Sequence, residues 1–246
     1  LYLQSRISYE NGKVEEAAHW LDRRPRGEHY TEFYHLDYLQ GKFLLGLEPT
    51  RAAQLLTRYL NESPSSIYRK SAWRYLSWHY LLKGDAAKAA QMRMKVLTDG
   101  AENTGADRQA ALEARRPWNE TLIRARVLFD AARYDSALAV LMRQPVDRCC
   151  EEPGERAEYY YRLGRIQQMR GESDGASSSF TKALAVEEVP DIYALGNSAL
   201  QLALMAEKRG NKEQARRYFK TSLKYTQYPF YEGIHQKAKA GLDRLK

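Results

Sequence analysis

The sequence has little cysteine, little histidine and no long apolar run, and each shortage excludes a class of protein. Its 246 residues contain two adjacent cysteines, Cys149 and Cys150, which allow neither a disulfide framework nor a spaced metal motif. Among five histidines, His29 and His35 are six positions apart, whereas helical metal-binding pairs occur at i and i+4. The mean hydropathy is -0.67, and no apolar run reaches the roughly 18 residues of a transmembrane helix.

Catalytic and cofactor motifs are also missing. The chain has no glycine-rich phosphate loop, no Gly-x-Ser-x-Gly elbow and no serine near clustered histidine and aspartate. Cys149 and Cys150 could form a vicinal redox pair or half of a shared metal site. Two thiols in a polar loop are the favoured interpretation, because a zinc site needs four ligands within tetrahedral reach. We therefore predict a protein that is not an enzyme and that holds no cofactor or metal.

Positive charge is in excess and is concentrated at the C-terminal end. The chain has a net charge of +8, and residues 206–246 hold eleven lysines and arginines against four acidic residues, a net charge of +7. Such asymmetry favours an anionic partner for that end. A solvated helix face explains it equally well.

A helix-turn-helix pattern repeats along the chain and is clearest in residues 70–97. Trp73, Leu76 and Tyr80 recur at the spacing of one helix face, and Gly84 followed by Asp85 can end this helix and cap the next. Hairpins are predicted over residues 1–27, 33–66, 70–103, 118–147, 157–190 and 196–229, with a capping helix over 232–246. A loop and a helical extension ending at Pro117 follow the third hairpin. The turn residues are Gly12, Leu47, Gly84, Ala132, Gly171 and Gly210.

These hairpins resemble the tetratricopeptide repeat, whose pattern is Trp-x2-Leu-Gly-x2-Tyr followed by Ala, Phe and Pro. The matching residues are Trp73, Leu76, Ser77, Tyr80 and Ala89 in the third hairpin, and Tyr160, Leu163, Gly164, Ala176, Phe180 and Pro190 in the fifth. The resemblance covers almost the whole chain. It implies an all-α fold, a right-handed α-solenoid of about six repeats in a single superhelical domain over 1–246. The segment ARVLFDAARYDSAL is similar to one in tetratricopeptide proteins of unknown function from Bacteroidetes bacteria, which implies no activity.

In tetratricopeptide proteins the first helices of the repeats line a concave groove that commonly holds peptides. The residues predicted to face such a groove mix arginines with aromatic rings: Arg74, Trp78, Arg126, Phe129, Tyr161 and Arg165. This mixture is favoured at interface hot spots, and arginine can bind a carboxylate with two hydrogen bonds. We therefore predict a non-catalytic scaffold that binds a protein or peptide segment with apolar and acidic side chains. Alternatively, Trp78 and Phe129 pack against an adjacent helix.

Two other functions stay open at this point. The basic C-terminal surface could contact nucleic acid or an anionic membrane, or an apolar end of the array could stack on another copy of the chain. The chain starts at Leu1, within a helical pattern and without an initiator methionine, so we expect a cut or processed end. The chain is expected to be soluble. Its compartment stays open between the cytoplasm and the periplasm or exterior.

Overall fold

The computed structural model describes residues 1–25, 27, 29–187, 193–228 and 230–246. Over these residues the chain forms fifteen helices and no strand, which confirms the prediction of an all-α protein. The chain divides into two compact units, Leu1–Arg133 and Tyr134–Lys246, called the first and second unit below. The single superhelical domain over 1–246 stays a prediction. Pro190 and Pro229, predicted to close the last two hairpins, lie outside the described residues.

The first unit consists of three helical hairpins followed by two further helices. Its helices are α1 (Tyr2–Glu10), α2 (Val14–Asp22), α3 (His35–Leu44), α4 (Pro49–Glu62), α5 (Arg69–Leu82), α6 (Ala86–Thr98), α7 (Gly105–Ala114) and α8 (Glu120–Asp130). Within each pair α1–α2, α3–α4 and α5–α6 the two helices pack on each other, whereas α7 packs on α5 and α6, and α8 on α5. The helical extension predicted before Pro117 is therefore a real helix, α7.

The second unit contains two complete hairpins and a terminal helix. Its helices are α9 (Tyr134–Arg143), α10 (Val146–Cys149), α11 (Pro153–Met169), α12 (Ser173–Leu184), α13 (Tyr193–Lys208), α14 (Lys212–Ser222) and α15 (Tyr231–Arg244). The hairpins are α11–α12 and α13–α14, and α15 packs on both α13 and α14. A helix therefore occupies the position predicted for the capping helix.

Five of the six predicted turns share one backbone geometry. Gly12, Gly84, Gly171 and Gly210 have φ angles of 75°, 84°, 81° and 77°, and Ala132, at the equivalent position, has 57°. At the third turn the amide of Gly84 donates to the carbonyl of Leu81 at 3.0 Å, and that of Asp85 donates to Tyr80 at 2.9 Å. The same two bonds recur at the other four turns, and they define the Schellman ending of a helix. The turn is thus a repeated structural unit.

The second turn along the chain, at Leu47, is built differently. The amides of Leu47 and Glu48 both donate to the carbonyl of Leu44, at 2.9 and 2.8 Å, and Leu47 is not among the residues with positive φ. In the left-handed region the Cβ atom of leucine comes too close to the backbone carbonyl oxygen, whereas glycine has no Cβ atom. The chain therefore turns here without a left-handed residue, and Pro49 starts α4.

Small residues let the helices of a hairpin approach closely. A Cβ atom added to Gly164 on α11 would lie 2.7 Å from the ring of Phe180 on α12, and one added to Gly41 on α3 would lie 2.7 Å from Leu56 on α4. Ala176, Ala203 and Ala215 are fully buried. Larger side chains at these positions would force the paired helices apart.

Candidate functional site

Three of the six predicted binding residues come together in the first unit. Arg74 and Trp78 lie one turn apart on α5, and Arg126 reaches them from α8. Both guanidinium groups lie 4.8 Å from the centroid of the Trp78 ring, within the range of a cation–π interaction. Glu113, which the sequence analysis does not single out, completes the cluster from α7.

Glu113 connects the two arginines through its carboxylate. One oxygen accepts a hydrogen bond from Arg74 at 2.9 Å, and the other accepts from Arg126 at 2.8 Å. Gln109 donates to the carboxylate at 2.7 Å from the preceding turn of α7. Helices α5, α7 and α8 are therefore joined by one charged group. We call Arg74, Trp78, Glu113 and Arg126 the arginine–tryptophan cluster.

The cluster is buried. Trp78 is 2% exposed and Arg74 is 3% exposed, so the expectation that these residues face solvent in an open groove is wrong. Helix α5 contacts α3, α4, α6, α7 and α8, and this leaves no open face for them. Trp78 belongs to the hydrophobic core of the first unit. The alternative considered for Trp78, packing against adjacent helices, therefore agrees with the structure.

Two opposing effects act on Glu113. Burial raises the pKa of its carboxyl group, but the positive charges of Arg126 and Arg74 outweigh this and lower the pKa to about 2. The carboxylate is consequently charged at neutral pH. The arginines were expected to bind a carboxylate of a partner, and Glu113 supplies that carboxylate from within the protein.

The other predicted binding residues are placed as follows. Phe129 is half-buried near the C-terminal end of α8 in the first unit. In the second unit Tyr161 is 6% exposed and packs edge-on against Tyr193 at 5.5 Å. Arg165, one turn further along α11, donates to the Tyr161 hydroxyl at 3.4 Å. Tyr161 and Arg165 therefore lie together, and the Tyr161 ring is part of the core of its own unit.

A second site in the first unit was missed by the sequence analysis. The ring of His35, at the start of α3, lies 4.8 Å from that of Tyr68, 5.9 Å from that of Phe33 and 6.4 Å from that of Tyr2. Phe33 is 59% exposed, and Ile67 beside Tyr68 is 39% exposed. We call Tyr2, Phe33, His35, Ile67 and Tyr68 the aromatic edge. Its sequence signal is the run HYTEFYHLDY over residues 29–38, which was considered only for metal binding.

The aromatic edge forms because the first helices of the three hairpins start at the same place. Tyr2 opens α1, His35 opens α3, and Tyr68 immediately precedes α5. At the other end of α1 and α3, the rings of Tyr9 and Phe43 stack at 4.1 Å. Helices α1 and α3 therefore run in the same direction. Burial, followed by the charge of Arg6, lowers the pKa of His35, which favours the neutral ring.

Tyr68 has a strained backbone that buried hydrogen bonds hold in place. Its φ angle is 59°, a left-handed conformation that is rare for an aromatic residue. Its amide donates to one carboxylate oxygen of Asp107 at 2.7 Å, and the amide of Ser71 donates to the other at 3.1 Å. Asp107 itself is fully buried. Residues held in such conformations cluster at functional sites, so the strain draws attention to this edge.

The remaining chemical candidates are weaker. Cys150 is 1% exposed, and burial raises the pKa of both thiols, which disfavours the reactive thiolate. Cys149 ends the four-residue helix α10, and Cys150 follows it in an extended segment where its side chain is buried. In the described part of the chain, no group of three or more histidine, cysteine, aspartate or glutamate residues is arranged to hold a metal ion. Across the same residues, every helix is too short or too polar to span a membrane.

No protein-family model matches this chain, and a search of curated proteins found no match to it.

Proposed function

We propose that this chain is a non-catalytic interaction scaffold, built as a right-handed α-solenoid of about six tetratricopeptide-like repeats, that binds a protein or peptide segment. Five turns with the same left-handed residue and the same pair of hydrogen bonds support the repeat. Arrays of such hairpins are stabilised by neighbouring repeats and present extended surfaces. The helical extension α7 and the terminal helix α15 fit this architecture as additions to the array.

The observation that carries the binding proposal is the exposure of Phe33 and Ile67 at the aromatic edge. Phe33 packs against the ring of His35, and His35 packs against Tyr68, the residue next to Ile67. Aromatic side chains are enriched at protein interfaces, and tyrosine is enriched at their hot spots. An exposed apolar patch on a folded protein commonly marks an interaction site. The partner segment packs an apolar side chain against this edge.

Acidic side chains in the partner suit the same edge. Helices α1, α3 and α5 begin there, and helix N-termini carry partial positive charge. Arg6, with a half-exposed side chain, lies one turn along α1 and is close enough to lower the pKa of His35. The proposed partner is therefore a segment that combines an apolar anchor with carboxylates.

The arginine–tryptophan cluster has a different role in this proposal. Because Glu113 already occupies both arginines, the cluster fixes α7 and α8 against α5. Asp107, on the same helix α7, accepts the amide hydrogens at the start of α5. The cluster thus supports the aromatic edge and does not contact the partner.

Site-directed photo-crosslinking in the native cells tests this proposal. A photoreactive phenylalanine analogue replaces Phe33 in one variant and Met94 in the other. Met94 lies on α6 and is 58% exposed, against 59% for Phe33, so it controls for random collisions. We expect a discrete protein adduct at position 33 that is absent at position 94 and that is lost when Ile67→Ser is added.

The same adducts at both positions would contradict the proposal. A position 33 adduct that survives Ile67→Ser would contradict the aromatic edge as the binding site. Circular dichroism and a thermal melt of each variant show whether the fold is intact.

A further inference from the structure

A row of positive charge follows the exposed side of α14 in the second unit. Lys212, Arg216 and Lys220 repeat every four residues, and Lys224 continues the row just past the end of the helix; all four are exposed. Four residues advance a helix by about 6 Å and turn it by about 40° beyond one full turn, so the helical cations form a ridge that runs obliquely along the exposed side of α14. Arg217, also exposed, lies beside the row with its guanidinium 5.3 Å from the ring centroid of Tyr218.

The row is not neutralised by the protein itself. Other cations of the C-terminal region form ion pairs: Arg209 with Asp174 at 3.1 Å, Arg244 with Glu207 at 2.7 Å, and Lys246 with Asp243 at 2.7 Å. Among the described residues, none of the four cations in the row lies within ion-pair distance of a carboxylate. Arg216 is held in position because it donates to the carbonyl of Leu245. Glu213 is the single acidic residue on α14.

The chemistry of the row distinguishes between classes of partner. Protein interfaces need apolar or aromatic anchors and are depleted in lysine, whereas this row is mostly lysine and has no exposed apolar side chain within it. A helix that binds in a membrane surface inserts its apolar face. On α14 that face, which includes Ala215 and Phe219, is fully buried against the rest of the unit.

A nucleic-acid backbone needs neither an apolar anchor nor an inserted face. Its phosphates are attracted by charge, and binding is favoured by the counterions that are released. Single strands are usually held by stacking on aromatic rings as well, and the row itself contains none. We propose that α14 binds the phosphate backbone of a nucleic-acid duplex without reading its sequence, through Lys212, Arg216, Lys220 and Lys224.

Fluorescence anisotropy with a labelled mixed-sequence DNA duplex tests this inference. The test variant carries Lys212→Gln, Lys220→Gln and Lys224→Gln. The control carries Lys83→Gln, Lys88→Gln and Lys95→Gln, three exposed lysines in the first unit, so both variants have the same net charge. Poly-glutamate and anionic lipid vesicles serve as alternative ligands, and circular dichroism shows that the variants are folded.

We expect the unmodified chain to bind the duplex at about 50 mM salt and to lose affinity steeply as salt rises. The test variant should bind at least tenfold more weakly, and its slope of log affinity against log salt should fall by about 2.7, since each phosphate contact contributes about 0.9. The control should stay within about twofold of the unmodified chain on the same scale. Undetectable duplex binding, an equal loss in the control, or tighter binding to poly-glutamate or vesicles would overturn the inference.

Discussion

The two units use the same hairpin but stabilise it with different interiors. The first unit buries ionised and amide side chains, among them Asp37, Lys70, Arg74 and Asp107. Among the described residues of the second unit, the buried polar side chains are three serines and Arg162, and the core consists mainly of alanine, leucine and aromatic residues. The added helices account for part of the difference, because Arg74 and Asp107 join α5 to α7. Asp37 instead pairs with Arg24, and Lys70 donates to carbonyls of α6. In the first unit α7 and α8 lie against α5, and polar contacts determine where they sit.

Buried polar contacts of this kind fix the positions of helices but add little to the free energy of unfolding. A buried ion pair recovers in Coulomb attraction little more than its desolvation costs, but removing one partner leaves a buried charge that is expensive. In the second unit, close helix approach at small residues sets the geometry instead. The first unit should therefore be sensitive to changes of charge, and the second to changes of side-chain volume.

The aromatic residues allow the two interiors to be followed separately. All four tryptophans, Trp20, Trp73, Trp78 and Trp118, lie in the first unit. Tryptophan fluorescence consequently reports unfolding of the first unit alone, while far-ultraviolet circular dichroism reports both units.

The largest effect is expected for Glu113→Ala. This change leaves Arg74 and Arg126 buried without their shared carboxylate, which should lower the free energy of unfolding by about 3 to 5 kcal/mol. Chemical denaturation followed by tryptophan fluorescence measures it. The matched change Glu158→Ala in the second unit, followed by circular dichroism, should cost only about 1 kcal/mol, because Arg162 keeps the Tyr193 hydroxyl at 2.7 Å. Equal costs would show that the interiors do not differ in this way.

Acid should weaken the first unit through the same carboxyl group. The pKa of Glu113 is about 2 in the folded protein against an ordinary value near 4.5, so the unfolded chain takes up its proton first as pH falls. The stabilisation is fully present above about pH 5 and is lost progressively toward pH 2, amounting to roughly 3 kcal/mol. The tryptophan-detected midpoint should fall over this range. In Glu113→Gln this part of the decrease should be absent; an unchanged pH profile would contradict the assignment.

A change of volume should act on the second unit. Gly164→Leu would force atoms into the ring of Phe180, which a Cβ atom alone would approach to 2.7 Å, and overpacking should cost more than about 2 kcal/mol. Gly233→Ala, in helix α15 where an added Cβ meets nothing within 4 Å, should be neutral or stabilising by up to about 1 kcal/mol. The loss should be seen by circular dichroism. An unaltered transition for Gly164→Leu would contradict the close packing of α11 and α12.

Local sequence patterns predicted the five hairpins in which the two helices pack on each other, but not the surroundings of those hairpins. The turn at Gly84 is specified by two adjacent residues, and a glycine with a capping aspartate has few alternative conformations. The solvent exposure of Trp78 depends on α7 and α8, which lie about 30 to 50 positions away in the chain. The residue pattern of α5 alone could not show that α7 and α8 cover the face of the helix that carries Trp78. Trp73 and Tyr80, predicted as core, are half-buried, whereas Trp78 on the other face is fully buried.

The candidate sites show the same limit. The Arg74 and Trp78 pattern has the composition of a hot spot, but in the structure the arginines bind Glu113 of the same chain. The aromatic edge depends on three helix starts that meet in space, at Tyr2, His35 and Tyr68. In the sequence these residues are about one hairpin apart, so only the run around His35 gave a local signal.

The smallest predicted change in the free energy of unfolding concerns the left-handed turn residue, a feature that both units contain. Ala132 ends α8 in the left-handed conformation, φ 57°, where the equivalent turns have glycine, and a left-handed alanine carries a penalty of about 1 kcal/mol. Ala132→Gly removes this penalty but increases the freedom of the unfolded chain, so a net gain of about 0.5 kcal/mol is expected. Ala131→Gly, at φ -89°, has no strain to relieve and removes a buried methyl group, so it should destabilise. A loss of stability in Ala132→Gly as large as that in Ala131→Gly would mean that the fourth turn is not equivalent to the other four, and the repeat would then be carried by those four alone.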